Sequence, residues 1–249
     1  MNNVIETIMQ HRSVRRFEDK PLDQDQIEAI VKSAQASSTS SFIQAYSIIG
    51  VTDKQKKQRL AELAGNQSYV AENGHFFVFC ADLYRHKMIG DLENADLSDS
   101  IESTEKFMVA LIDTALAAQN AAIAAESMGL GICYIGGIRN DLEAVKEVLK
   151  TPEYVVPLFG LAVGYPDQET DLKPRLPLEH VYMENEYEQD QNVLEQQLKE
   201  YNKTTSDYYR ERTGGKRSDT WTGQMAKMLG RKSRTYMKEF VEKQQLNKR

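Results

Sequence analysis

Runs of apolar residues with two different spacings alternate along this chain, and they predict a series of helices and strands. Residues 3–11 and 23–36 carry helical spacing, with Asp23 placed to cap the second after Pro21. Tyr46–Thr52 is β-branched and bounded by polar residues, so it reads as a strand. A charged helix is expected over Asp53–Ala64, then a buried strand over Phe76–Asp82. Residues 85–100 are acidic and weakly patterned, and are expected to form a mobile surface segment. Phe107–Met128 is apolar nearly all round and rich in alanine, which predicts a long helix in the interior that other helices approach closely. It also suits a subunit interface. Gly129 and Gly131 are read as its C-terminal stop. The run Ile132–Arg139 is a strand opening onto the Gly136-Gly137 turn. Residues 140–150 follow as a helix, then Val155–Val163 as a strand stopped by Pro166. No repeat interrupts this order.

Composition places the chain among ordinary soluble proteins: 249 residues, 41% hydrophobic and 27% charged. The N-terminus lacks a basic stretch followed by an apolar one, and no uninterrupted apolar run approaches ~20 residues, so neither a secretory signal nor a spanning helix is expected. Cys80 and Cys133 lie in separate apolar runs, the pattern of buried free thiols in a reducing cytoplasm. The four histidines show no ligand spacing, and no metal site is expected. The net charge of −6 hides an asymmetry: residues 191–249 hold 14 Lys+Arg against 7 Asp+Glu, and residues 1–190 hold 17 against 30. A basic tail on an acidic body suits a small anion or the acidic body of a second subunit. Nucleic acid is not expected, since no aromatic-interleaved basic surface or helix-turn-helix pattern appears.

Candidate chemistry concentrates in four places. His11-Arg12-Ser13-Val14-Arg15-Arg16-Phe17 sets three permanent cations and a hydroxyl within a few residues, and the arginine fork matches a phosphate or the carbonyl edge of a flat heterocycle. Ser37–Ser41 supplies five hydroxyls in a row, either a polar loop or an anion-lining one. Lys173 and Arg175 flank Pro174 on a stiffened segment. Gly136-Gly137 allows backbone amides to approach a planar ligand. A Rossmann fingerprint is absent, because no G-x-G-x-x-G follows a strand.

In order along the chain stand HRSVRRF at 11–17, SSTSSFIQ at 37–44, AAESMGLGICYIGG at 124–137 and LFGLAVGYPDQETDLKPRLP at 158–177. With these the sequence resembles the FMN-containing nitroreductase and flavin reductase family, in the NADPH-specific bacterial branch with a long C-terminal extension. The resemblance implies an α+β fold, a mixed central sheet flanked by helices, in an intertwined homodimer. The FMN-binding core would be residues 1–190, and residues 191–249 would carry an NADPH-binding loop and a dimer-wrapping helix over 225–243. It further implies that His11, Arg12 and Ser13 hold the phosphate and ribityl end of FMN, joined by Lys173 and Arg175, with Arg15 at the N1/O2 edge. Ser38, Thr39, Ser40 and Ser41 would come from the other subunit, Thr39 replacing the more usual serine. Gln67 and Tyr69 would lie at the O4/N3 side, while Tyr134, Ile135, Gly136 and Gly137 line the ring.

The same resemblance gives the loop Arg212–Trp221 (RTGGKRSDTW) to the 2′-phosphate of NADPH through Arg212, Lys216 and Arg217. The implied activity is ping-pong transfer of hydride from NADPH through FMN to free flavin, a nitroaromatic or a quinone. No protein side chain acts as a catalytic group, because the flavin carries the chemistry. The alternative is a non-catalytic FMN-binding or sensor protein.

Overall fold

In the computed structural model, which describes residues 2–249, local sequence signals set most element boundaries. Asn2 caps α1 (Asn3–Met9), and Asp23 forms a reciprocal capping box with Gln26 at the start of α2 (Gln24–Gln35). β1 (Tyr46–Val51) leads to α3 (Lys54–Leu63), whose first turn is capped by Asp53. β2 (His75–Asp82) is followed by α4 (Tyr84–Glu93), α5 (Ser98–Ile101) and the long α6 (Thr104–Ser127). β3 (Gly131–Ile135) runs directly into a 3-10 turn, Gly136–Asn140, then α7 (Leu142–Leu149) and β4 (Val155–Gly164). The remaining helices are α8 (Gln191–Arg212), α9 (Trp221–Leu229) and α10 (Met237–Lys243).

The strands form one sheet in the order β1-β2-β4-β3, with antiparallel pairing throughout. Its parallel component is a single bridge, Ser13 to Ile132, where the His11–Phe17 segment docks beside β3. β2 is buried along its whole length, so its alternate side chains feed two cores. Phe76, Val78 and Cys80 join Leu60 and Ala61 of α3, Leu142 and Val145 of α7, and Phe240 of α10. Phe77 and Phe79 face Ile30 and Ala34 of α2 and the alanines 117, 118, 121, 122 and 125 of α6. This is the helix–sheet–helix layering of an α+β fold. Both cysteines are free and buried in it.

The chain divides into two compact units. One comprises the residues up to Thr170 together with Arg234–Arg249; the other is Asp171–Ser233. Within the second, α8 and α9 pack on each other, with Tyr201 against Trp221 and the Asn202 amide bonded to Thr222 at 2.7 Å.

Three expectations are refined or corrected. Residues 85–100, expected as a mobile surface segment, lie at the surface and are mostly α4 and α5; the apolar residues of α4, Tyr84, Met88, Ile89 and Leu92, are all exposed. Gly129, at φ 78°, follows the C-cap of α6, whereas Gly131 begins β3, where the Val14 side chain fills the space a Cβ would need. Residues 225–243 are not one helix: α9 stops at Leu229, and Arg234, at φ 52°, lies in the break before α10. The interior helix expected over Phe107–Met128 is α6: it is long and apolar enough to cross a membrane by length and composition, and its alanine face lies in the core against β2 and α2.

Candidate active site

The site begins where α1 ends. Val14 and Phe17 are buried and fix the segment: the Val14 amide donates to the Ile132 carbonyl at 2.9 Å, and Phe17 bridges to Pro166. Val14 is buried while the adjacent Arg15 is exposed. Burial raises the Tyr69 pKa, and the positive charge of the nearby Arg15 pulls against that rise. The Tyr69 hydroxyl donates to the Gln67 side-chain oxygen, and Gln67 Nε2 donates to the Ala64 carbonyl at 2.6 Å. Gly137 closes this chain of contacts. A Cβ there would lie 2.4 Å from the Ala64 oxygen and 2.8 Å from Gln67 Nε2, so only glycine lets the turn after β3 seat against the end of α3.

Three distant stretches therefore meet: the His11–Phe17 segment through Ser13 and Arg15, the segment after α3 through Gln67 and Tyr69, and the turn after β3 through Gly137, which Tyr134, Ile135 and Gly136 directly precede. The Tyr134 ring rests edge-on against Phe159 at 5.5 Å, and burial moves its pKa upward. Cys133, beneath Arg15, is likewise raised by burial. His11 Nδ1 is 2.7 Å from a Glu126 carboxylate oxygen. Arg12 donates to the Gln10 side chain at 2.6 Å and borders a cavity of about 580 Å³ between α1, the end of α6 and residues 166–170. Among the described residues no carboxylate pairs with Arg12 or Arg15, whereas Arg16 is held by Asp167 at 2.9 Å. The arrangement offers two unneutralised forked cations, a hydroxyl, an amide and a bare backbone turn, the donor set for an anion joined to a flat heterocycle.

The serine run lies elsewhere in the same unit, at the C-terminal end of α2. The Ser40 amide donates to Asp113 Oδ1 at 2.9 Å, and Ser41, Phe42 and Gln44 all have positive φ. Asp113 thus holds the run at Ser40, while His86 and Arg85 hold the Ile43 and Gln44 carbonyls just beyond it, and none of these contacts involves the Arg12–Arg15 segment. Lys173 and Arg175 belong to the second unit; both are exposed, on either side of Pro174, whose carbonyl accepts from Tyr201 at 2.9 Å. Also in that unit, Gly214 and Gly215 (φ 56° and 84°) turn the chain back along α8, and the Arg217 amide donates to Thr213 Oγ1 at 2.9 Å. Arg217 pairs with Asp219 at 2.7 Å and stacks over the Tyr209 ring at 4.5 Å. Arg212 bonds the Tyr208 hydroxyl at 3.0 Å, and Lys216 is exposed.

Sequence reasoning passed over three residues that the structure draws to these places: Asp113, Arg139 and Tyr236. Asp113 had a signal, as the one acidic residue inside the apolar stretch 107–125. The other two act through backbone groups: Arg139 donates to the Leu158 carbonyl, and the Tyr236 hydroxyl donates to the Arg139 carbonyl at 2.8 Å.

Residues 8–165 match the model of the nitroreductase family, and residues 173–249 match that of the nitroreductase family C-terminal domain. A curated relative, FMN reductase (NADPH) of Bacillus subtilis, is 58% identical over 248 residues, covering all of both chains. The solved structure of NfrA1 from B. megaterium superposes with a TM-score of 0.98 at 64% identity, covering 99% of this chain and all of that one. The NADPH:FMN oxidoreductase of Vibrio harveyi, solved with NAD+, gives 0.90 at 38% identity over all of both chains. The chain belongs to the nitroreductase family.

Proposed function

We propose that this protein is an NADPH-dependent FMN reductase and nitroreductase. The observation that carries the reading is the contact set Tyr69–Gln67–Gly137 with the Arg15 charge near Tyr69, and an Arg12 without a carboxylate partner on the same segment, in a chain 58% identical to an enzyme named FMN reductase (NADPH). These residues fit FMN. Two arginines without carboxylate partners suit its phosphate and its N1/O2 edge. Gly136, where an added Cβ would meet only the Arg139 guanidinium, presents bare backbone to a ring.

In this reading His11, Arg12 and Ser13 hold the phosphate and ribityl end together with Lys173 and Arg175. Gln67 and Tyr69 take the O4/N3 side, and Tyr134, Ile135, Gly136 and Gly137 line the ring. Arg15 places a permanent positive charge at the edge where negative charge collects on reduction. Bound FMN supplies acceptance of hydride from the nicotinamide and its donation to the second substrate. NADPH and a flavin, nitroaromatic or quinone acceptor use one open pocket in turn, a ping-pong cycle. Arg212, Lys216 and Arg217 select the 2′-phosphate. Residues 1–190 then serve as the FMN-binding core and residues 191–249 as the extension that reads NADPH.

A homodimer completes the reading, with Ser38, Thr39, Ser40 and Ser41 serving the partner subunit's flavin. Its support is an exposed apolar stripe: Val4, Ile5, Ile8 and Met9 on α1, with Met108, Ile112 and Leu116 along one edge of α6. The free, buried Cys80 and Cys133 fit a cytoplasmic protein.

Anaerobic stopped-flow absorbance tests the core claim. Rapid bleaching of the yellow protein by NADPH, slower bleaching by NADH, and parallel double-reciprocal plots in steady state are expected. A yellow protein that NADPH does not bleach is an FMN carrier without turnover, and a protein that cannot take up FMN overturns the reading.

A further inference from the structure

The serine run ends in a loop whose backbone is costly to hold. Ser41, Phe42 and Gln44 have φ of 49°, 60° and 57°, in the left-handed region that residues with a Cβ seldom occupy. Phe42 stands at the tip, 82% exposed. Such a loop persists only where its surroundings dictate it. Here the ends are tied by one carboxylate on α6: Asp113 Oδ1 accepts the Ser40 amide at 2.9 Å and Oδ2 accepts the Ala45 amide at 3.0 Å. His86 donates through Nε2 to the Ile43 carbonyl at 2.8 Å, and Arg85 reaches the Gln44 and Tyr46 carbonyls.

Asp113 is fully buried, and no Lys, Arg or His among the described residues forms an ion pair with it. Burying a carboxylate without a cation is unfavourable unless strong hydrogen bonds replace its water. Its charge is met by the loop's own amides, so carboxylate and loop depend on each other. We propose that Asp113 is a positioning residue: it holds residues 38–45 in one projecting conformation and so presents the serine run and Phe42 ready-made to the flavin site of the partner subunit. This role rests on the reading above that the serine run serves that flavin. The clamp itself does not, since its geometry lies within a single chain.

Asp113→Asn tests it in the FMN-loaded protein. The amide keeps one acceptor but turns an NH2 toward the second backbone donor, and no flip repairs this. Ala117→Gly, at a buried position on the same helix, is the control for lost stability alone. Three readouts are taken: hydrogen exchange over residues 38–46, the FMN dissociation rate, and Tm. In Asp113→Asn, exchange and FMN release both quicken, each by about tenfold or more, the equivalent of ~1.4 kcal/mol. At a matched fall in Tm, Ala117→Gly leaves both near wild type. Unchanged exchange in Asp113→Asn overturns the clamp, and equal FMN loss in the two variants reduces Asp113 to a stability residue. Faster exchange with unaltered FMN release keeps the clamp but overturns its role at the flavin. If neither variant bleaches with NADPH and wild type fails likewise, it is the enzymatic reading that falls.

Discussion

At the scale of single residues, the site is held by charge that the protein itself leaves unanswered. Arg15 reaches Tyr69 but has no carboxylate to neutralise it, so its cation remains available to a ligand. Arg15→Lys keeps the charge and loses the planar fork. FMN affinity, read by fluorescence quenching, is expected to fall by roughly tenfold or more, because a charge-assisted hydrogen bond is worth ~1.5–3 kcal/mol. His75 shows the opposite economy of charge. Burial in β2, with Lys57 nearby, lowers its pKa from 6.5 to about 4, so the folded protein keeps it neutral. The unfolded chain takes up that proton once the pH drops below 6.5, and stability is lost progressively from 6.5 down to about 4. His75→Phe should flatten that limb of a Tm-against-pH curve; an unchanged slope would mean that His75 is not the group protonated on unfolding.

Among elements, the turn after β3 is braced from a segment almost a hundred residues away. The Tyr236 hydroxyl donates to the Arg139 carbonyl at 2.8 Å and accepts the Leu142 amide at 2.9 Å, while Arg234 forks onto Asn140 Oδ1 at 3.2 and 2.9 Å. The Leu142 amide opens α7 and has no partner within that helix, so the tyrosine serves as its cap from outside. Tyr236→Phe leaves a donor and an acceptor unmade. A cost of about 1–3 kcal/mol is expected, which in a chain of this size lowers Tm by a few degrees per kcal/mol. The same variant should slow hydride transfer in stopped flow if the Gly136–Asn140 turn is held by this brace. Little of it was legible beforehand, whereas β1, β2 and β4 were legible to within a residue at either end: two-sided burial writes continuous apolar runs in β2 and β4, and β1, at the sheet edge, shows as a β-branched run between polar residues. The Asp23 cap was equally plain. α4 escaped because its apolar row, Tyr84, Met88, Ile89 and Leu92, is short and diluted by Arg85, His86, Lys87, Gly90 and Asp91, and none of it is buried. Arg15, Gln67 and Gly137 were named by their likeness to a family pattern. That they touch in a chain through Tyr69 and Ala64 depends on how β3 and α3 end, and spacing along the sequence does not encode it.

The whole molecule offers two surfaces whose chemistry differs in kind, one apolar and one cationic. Met108, Ile112 and Leu116 recur at every fourth residue on the outward edge of α6, too regular an apolar row for a surface meant for water. Leu116→Arg should therefore shift the species seen by analytical ultracentrifugation from dimer to monomer, and FMN should be released with it if each site borrows from the other subunit. The cationic surface carries a finer expectation. Arg217 is engaged by Asp219 and by the Tyr209 ring, and the paired carboxylate raises its pKa. Arg212 donates to the Tyr208 hydroxyl and lies over the ring of the same residue at 5.9 Å, and among the described residues no carboxylate pairs with it. A phosphate approaching Arg217 must displace or accommodate Asp219, whereas Arg212 is free to turn toward it. Arg212→Ala should accordingly raise the NADPH KM more than Arg217→Ala does, with FMN content and the NADH KM unchanged in both. Asp219→Asn should lower the NADPH KM by releasing Arg217. These effects should shrink as ionic strength rises, because exposed charges are screened over ~10 Å at 0.1 M salt. If Arg212→Ala instead raises the KM values for NADPH and NADH equally, the loop binds the dinucleotide without reading its 2′-phosphate, and the selectivity must lie elsewhere.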